Sequence, residues 1–335
     1  MSARASRLVF AGLCVLAAFA PLAFGAVETW ARAVLLALTL LLVLVWLGDC
    51  VACGRLRFRP TLLYLPLGAW LTWTGLQLLL DRSLYRHATR EELVWSVGVA
   101  LVWVLVLNAL NPPELRRLTL FFAAFGFVVA VFAILQGLAA PHDTIYLFRD
   151  LSQGPTAYGP FVNKNHYAGY MELLAPLPLA LVMFGAVRRE QRALFLFMGL
   201  VMVVSVALSL SRTAVVVLGL QALLLAALLL GPRRGRLRLA ALLLAVLAPA
   251  GALWLGGKPL VHRLSTLLRF PQETSLTVRL QASHDALAMA REHPVWGTGL
   301  ATFGAVFPRY KTFEDNLFWE HAHNDLAQLV AECGI

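Results

Sequence analysis

The sequence predicts an all-α membrane protein that crosses the bilayer about ten times. Of its 335 residues, 60% are hydrophobic and only 14% are charged, and the mean hydropathy is +0.74. This composition excludes an ordinary soluble globular protein. Long apolar stretches recur along the chain, and basic residues gather in every second connection between them. Together these observations predict a polytopic bundle of transmembrane helices with a fixed orientation.

Nine apolar stretches are long enough for a membrane-spanning helix, which needs about 20 residues. They cover residues 8–26, 30–48, 61–80, 93–110, 117–138, 166–187, 193–210, 212–230 and 237–256. A further helix begins near His323, and we expect the fold to continue beyond Ile335. The predicted domains are a transmembrane bundle over 1–256, a loop domain over 257–322, and the start of another span over 323–335.

The basic residues predict the orientation, because short loops rich in Lys and Arg stay in the cytoplasm. Basic residues precede the first span and follow every even-numbered span: Arg4, Arg7, Arg55, Arg57, Arg59, Arg116, Arg117, Arg188, Arg189, Arg192, Arg233, Arg234, Arg236 and Arg238. The N-terminus is therefore predicted to be cytoplasmic. The net charge of +10 indicates topology and attraction to anionic membrane lipids, not nucleic-acid binding.

The first span allows a second interpretation, a cleavable signal peptide. It has a basic start, an apolar run and the small residues of "AFGA", Ala23–Ala26. Its removal would leave the parity of the later loops unchanged, so the prediction of which face each loop occupies holds in either case.

Three segments lie on the predicted outer face, 81–92, 139–165 and 257–322, and the last is the largest. It contains an amphipathic helix, "VRLQASHDALAMAREH", that is closed by Pro294. The following "PVWGTGLATF" places Gly297 and Gly299 where tight turns and close approach of the backbone to a ligand are possible. We therefore expect the chemistry on this face.

Two polar stretches stand at the outer ends of predicted spans. The stretch "LSLSRTAVV" joins the seventh and eighth spans, and its Arg212 has no acidic neighbour in the sequence. Arg212 is therefore either a snorkelling anchor or a phosphate ligand. "GPFVNKNHYAGYMELLAP" opens the sixth span with four polar residues, which either contact substrate or cap the helix: Asn163, Lys164, Asn165 and His166.

The stretch "EHAHNDLAQL" concentrates groups that handle protons. His321 and His323 are open to three interpretations: helix caps, metal ligands or catalytic bases. The H-x-H-x-D spacing is found in metallohydrolases, but those sites draw further ligands from a soluble domain that this sequence lacks. We expect neither a metal nor a cofactor. If the helix has already begun, residues two apart point about 200° apart, so only one histidine faces the site.

Four motifs together resemble the O-antigen ligase and polymerase superfamily of multi-span bacterial enzymes, from about residue 155 onwards. They are "GPFVNKNHYAGY", "SRTA", "AREHPVWGTGLATF" and "HAHNDLAQLVAECGI". The resemblance implies a bacterial inner-membrane glycosyltransferase whose site faces the periplasm. It implies that Arg212 and Arg279 hold the diphosphate of the donor, and that His323, followed by Asn324, serves the acceptor as base, with His321 as the fallback. By this reading Asn163, Lys164, Asn165, His166 and Asn324 contact substrate.

The implied partners are a donor glycan linked to undecaprenyl diphosphate and an acceptor that is lipid A core, another glycan or a protein. The sequence does not distinguish a ligase from a polymerase or an O-linked oligosaccharyltransferase. Two functions of other classes also stay open. A transporter or flippase of envelope glycans would have as many spans, although inverted repeats are not evident. A non-catalytic subunit of an envelope complex is the other alternative.

Overall fold

The computed structural model describes residues 2–56, 58–139, 144–146, 148–150, 156–228, 274–314 and 318–334. Within these ranges the chain is mostly helical, which confirms the all-α fold class. Strand structure there is limited to one antiparallel pair, β1 (Thr144–Ile145) and β2 (Arg149–Asp150). The predicted ninth span, 237–256, lies outside the described residues, as do Arg57 and the basic run 233–238.

The described helices follow one another along the chain in the order α1 to α12. They are α1 (Ala3–Leu22), α2 (Thr29–Ala52), α3 (Tyr64–Leu79), α4 (Arg86–Ala109), α5 (Pro112–Ala139), α6 (Lys164–Leu174), α7 (Pro176–Met183), α8 (Arg192–Leu208), α9 (Arg212–Leu228), α10 (Thr274–Glu292), α11 (Phe303–Val306) and α12 (Asp325–Cys333). Among the described residues, five helices are long and apolar enough to cross a membrane: α1, α2, α4, α5 and α8 with its preceding turn. The polytopic architecture is confirmed, while the number of spans stays a prediction.

The predicted sixth span, 166–187, is two helices in the structure. Pro176 has no backbone N–H, so the carbonyl of Glu172, one turn earlier, loses its helical partner and α6 ends at Leu174. The side-chain amide of Gln221 in α9 donates to that carbonyl at 3.1 Å. A neighbouring helix thus satisfies the backbone group that the proline frees, as membrane interiors require.

The chain divides into two compact units, each described by itself. The first unit comprises Met1–Ala5, Thr39–Ala109 and Leu268–Ile335, and the second comprises Ser6–Leu38 and Leu110–Leu267. In the second unit α5, α6, α8 and α9 enclose an apolar core, within which the Tyr167 hydroxyl donates to Ser205 Oγ at 2.6 Å. The buried Gln136 of α5 donates to the carbonyl oxygens of Thr144 and Gly159 and so anchors the predicted outer segment.

A buried glutamine has the same anchoring role in the first unit. Gln77 of α3 is fully buried, and its amide donates to the carbonyl oxygens of Trp296 and Glu332 at 2.7 and 2.8 Å. Its carbonyl accepts the backbone N–H of Leu300 at 3.1 Å. Trp73, one turn earlier, stacks on Trp296 with the ring centroids 4.8 Å apart. These contacts fasten the glycine-rich loop and the end of α12 to α3.

Candidate functional site

The two histidines of "HAHND" lie just before a helix, not within one. Asn324 is the N-cap of α12, and its side-chain oxygen accepts the Ala327 N–H at 3.2 Å. Because Asn is a strong N-cap residue, the helix begins at Asp325. The 200° separation expected of two residues in a continuous helix therefore does not apply, because the helix that was predicted to begin near His323 begins two residues later.

His323 has a backbone conformation that few side chains adopt. Its φ is +53°, in the left-handed region, where histidine is less disfavoured than most residues. The imidazole packs edge-on against Trp319 with the ring centroids 5.3 Å apart. Partial burial lowers the pKa of His323 below its ordinary value, and the nearby side chains of Arg279 and His321 lower it further. The neutral imidazole, the form that can accept a proton, is thereby favoured at neutral pH.

His321 is linked through Gln328 to a buried carboxylate. The Gln328 side-chain nitrogen lies 3.3 Å from His321 Nδ1 and 3.3 Å from Glu332 Oε1. The Gln328 side-chain oxygen accepts the backbone N–H of Ala322, the residue between the two histidines, at 3.1 Å. One glutamine on α12 therefore holds both the backbone and one side chain of the histidine segment.

The glycine-rich loop comes close to the protein's own backbone. A Cβ atom on Gly297, where φ is +64°, would lie 2.3 Å from the Glu332 carbonyl. A Cβ atom on Gly299 would lie 2.5 Å from Ser83 Oγ. The sequence predicted tight turns here, which the positive φ values confirm, and the close approach that the structure shows is to α12 and Ser83.

A cleft of about 300 Å³ opens beside the histidine segment within the first unit. Its lining combines three apolar side chains with four polar ones: Trp70, Leu300 and Leu329, and His321, Asp325, Gln328 and Glu332. The apolar side chains and the polar groups together could contact a polar ligand at this surface.

Arg279 lies in the second turn of α10, and its side chain is exposed. It is close enough to His323 for its charge to affect the pKa of that histidine. Within the described part of the chain, no side chain forms a hydrogen bond or ion pair with its guanidinium. The first unit therefore brings together three of the predicted site residues, Arg279, His321 and His323.

Arg212 and the "NKNH" segment belong to the second unit. Arg212 is the first residue of α9, directly after a sharp turn in which Leu210 has a φ of +56°, and the position of its side chain lies outside what the structure describes. Asn163 is the N-cap of α6, because its side-chain oxygen accepts the Asn165 N–H at 2.9 Å. Asn165 and His166 are exposed in the first turn of α6.

Sequence reasoning missed the residues that hold the site in place. Gln77 and Glu332 are buried polar side chains whose partners lie more than 200 residues away for Gln77, and about 30 residues away for Glu332. The available signal was an amide within an otherwise apolar span, which usually faces a partner. Among the described residues, no group of three or more His, Cys, Asp or Glu side chains is arranged to hold a metal ion.

Residues 197–335 match a sequence model of the family described as O-antigen ligase. Over this segment the chain is similar to the O-antigen ligase family. The resemblance predicted from the motifs is thereby confirmed. Comparison with curated proteins and with solved structures gave no match. The O-antigen ligase segment contains Arg212, Arg279, His321 and His323, whereas Asn163–His166 precede it. This match supports a membrane glycosyltransferase of the O-antigen ligase or polymerase type.

Proposed function

We propose that this protein transfers a glycan from undecaprenyl diphosphate to an acceptor hydroxyl at the periplasmic face of the bacterial inner membrane. The observation that supports this most directly is that Arg279 and His321 both lie close enough to His323, in the first unit, to affect its pKa, and that His321 lines a cleft there. A cation and a neutral imidazole are the two groups that such a transfer needs. One stabilises an anionic leaving group, and the other accepts a proton.

In the proposed reaction His323 removes the proton from the acceptor hydroxyl. The acceptor oxygen then bonds to the anomeric carbon of the donor sugar. The bond between that carbon and the diphosphate oxygen breaks, and its electron pair leaves with undecaprenyl diphosphate. The lowered pKa of His323 supports this role, because the imidazole is already unprotonated when the acceptor arrives.

The leaving diphosphate is assigned to arginine. The Arg279 guanidinium is exposed beside His323 and has no ion pair with another described residue. A planar guanidinium forms bidentate contacts to phosphate oxygens and keeps its charge at any physiological pH. Arg212 is the second proposed phosphate ligand, on the strength of the family motif. With two guanidiniums in this role, we expect no divalent metal to be required.

The acceptor is left open between lipid A core, a second lipid-linked glycan and a protein hydroxyl. The test is to supply the purified protein in nanodiscs with a defined undecaprenyl diphosphate glycan and each acceptor in turn. Glycan transfer to one of them, with release of undecaprenyl diphosphate, is the expected result, and a chelator should leave the rate unchanged. Movement of the intact donor across the bilayer of proteoliposomes without transfer to any acceptor would contradict the proposal and favour a flippase.

A further inference from the structure

The starting point is the carboxylate of Glu332, which is buried at the end of α12 with 4% of the residue exposed. Its Oε1 accepts the Phe303 N–H at 2.9 Å, and its Oε2 accepts the Ala301 N–H at 3.0 Å. Since both oxygens receive backbone N–H groups, the carboxylate acts as an acceptor on both sides. In the ionised form, which these two N–H groups favour, Oε1 can only accept, so a further polar group that approaches it must be a donor.

That further group is the side-chain amide of Gln328, and its orientation follows from two neighbours. Its nitrogen lies 3.3 Å from Glu332 Oε1, which can only accept, and its oxygen lies 3.1 Å from the Ala322 nitrogen, which can only donate. Rotating the amide by 180° would place oxygen against carboxylate and N–H against N–H. Both contacts would then be repulsive, so the amide has one satisfactory orientation.

The second N–H of the same Gln328 nitrogen is directed to His321 Nδ1, at 3.3 Å. A nitrogen that accepts this hydrogen bond carries no proton. A neutral imidazole has one N–H, so the proton of His321 must be on Nε2. Nε2 is on the opposite edge of the ring from Gln328, and His321 lines the cleft.

We propose that Glu332 and Gln328 are positioning residues that fix the tautomer of His321, so that His321 offers an Nε2–H donor to a substrate oxygen. This inference rests on the proposed function and refines it. The two histidines of the motif then have opposite roles: His323 accepts the proton of the acceptor hydroxyl, and His321 donates a hydrogen bond. His321 is thereby removed from the alternative role of base that the sequence left open.

The tautomer can be measured directly, without any assay of transfer. The unmutated protein is labelled with ¹⁵N-histidine in nanodiscs, and the His321 resonances are assigned by their loss in His321→Gln. At neutral pH we expect an unprotonated Nδ1 and a protonated Nε2. A protonated Nδ1 would overturn the proposal whether or not the enzyme transfers glycan, whereas an inactive parent with the expected tautomer would contradict only the proposed function.

Substitutions that keep one ring nitrogen each test the role of the donor. Glutamine places an N–H near the position of Nε2, whereas asparagine places its polar group near Nδ1. We expect His321→Gln to keep its transfer rate within about tenfold of the parent, and His321→Asn to lose a further tenfold or more, as for one hydrogen bond to a charged or reacting group. An Asn variant as active as the Gln variant would contradict the proposed role of Nε2.

Gln328→Met removes the link between the carboxylate and His321. In a folded variant we expect a mixed His321 tautomer in the ¹⁵N spectrum and a several-fold lower kcat. The matched control is Gln281→Met. Gln281 is a partly buried glutamine on α10 that bonds Asp285 and Thr312 and lies outside the cleft lining. An unchanged tautomer in Gln328→Met would show that another group fixes the ring.

Discussion

Two regions of the molecule both combine asparagine and histidine at the start of a helix, but the histidine has a different position in each. "NKNH", at Asn163–His166, and "HAHN", at His321–Asn324, each precede or open a helix whose N-cap is asparagine. In the first, the histidine follows the cap, in the first turn of α6, and it is exposed, as are His321 and His323 in the second. In the second, both histidines precede the cap, where the chain is held by Gln328 and Trp319. The contacts of each histidine therefore depend on its position relative to the asparagine cap, and not only on the residue types in the segment.

The two regions also differ in how closely other atoms pack against a nearby glycine. Substitution of these glycines has the largest expected effect, on the stability of the fold. A Cβ on Gly297 would lie 2.3 Å from backbone atoms of Glu332, at a positive φ, whereas Gly169 in α6 has no atom within 4 Å of its Cβ position. We expect Gly297→Ala to destabilise the fold by several kcal/mol, about 3 or more, and to reduce the yield of monodisperse protein.

Gly169→Ala is the matched control, and it should leave the unfolding midpoint unchanged or raise it slightly, because alanine is favoured over glycine by about 0.5–1 kcal/mol in a helix. Thermal unfolding of both variants in the same detergent makes the comparison. Equal stability of the two variants would mean that the glycine-rich loop does not pack against α12 as described.

The arginines give the next largest expected effect. Arg279→Lys keeps the charge beside His323 but removes the planar fork, so we expect donor turnover to fall roughly tenfold to a hundredfold with normal membrane insertion. Arg212→Lys should show a similar loss if it also holds phosphate. Parental turnover in the Arg212 variant would return that residue to the role of membrane anchor, and parental turnover in both variants would remove the arginines from the proposed mechanism.

Much of this architecture was predictable from the sequence because it depends on local chemistry. Apolar length predicts membrane helices, and "SRTA" and "HAHND" make Arg212 and His323 candidate site residues without any knowledge of the fold. The break between two helices after Leu174 was also predictable, because Pro176 is visible in the sequence. Counting apolar residues alone does not reveal this break. The Asn324 cap was visible as well, and applying it would have placed the histidines before the helix.

The anchoring contacts were not predictable, because they depend on pairings between distant segments. Gln77 donates a hydrogen bond to Trp296, which lies 219 residues further along the chain, and neither local sequence indicates this contact. The Glu332–Gln328–His321 connection is closer in sequence but depends on the loop before α12 folding back onto that helix. Hydrophobic periodicity describes one helix at a time and carries no information about a loop that folds back onto a helix.

The two asparagine caps allow a further comparison of the two regions, with a smaller expected effect on stability. Asn324→Ala and Asn163→Ala should each cost about 1 kcal/mol of stability, the usual value of an N-cap. Only Asn324→Ala is expected to lower kcat, since its cap sets the backbone next to His323, which has a φ of +53°. Unfolding midpoints and transfer rates of both variants provide the test, and equal kcat in the two would separate the cap from the chemistry.

The pH dependence is the smallest expected effect. The pKa of His323 is lowered by burial, then by Arg279 and His321, so transfer should decline with falling pH only below about 6.5, the ordinary histidine value. Removing the charge in Arg279→Gln should raise that pKa and move the acidic limb of the residual activity to higher pH. If the acidic limb of the activity profile stays at the same pH in Arg279→Gln, the titrating group is not His323.

The most direct test of the central claim compares the two histidine regions in one assay. Donor binding and single-turnover glycan transfer are measured for His323→Ala and His166→Ala in nanodiscs. Loss of a general base typically costs roughly a hundredfold to ten-thousandfold, so His323→Ala should bind the lipid-linked donor and fail to transfer it. His166→Ala should transfer at the parental single-turnover rate with at most weaker donor binding. Parental transfer by His323→Ala, or loss of transfer in His166→Ala alone, would contradict the account.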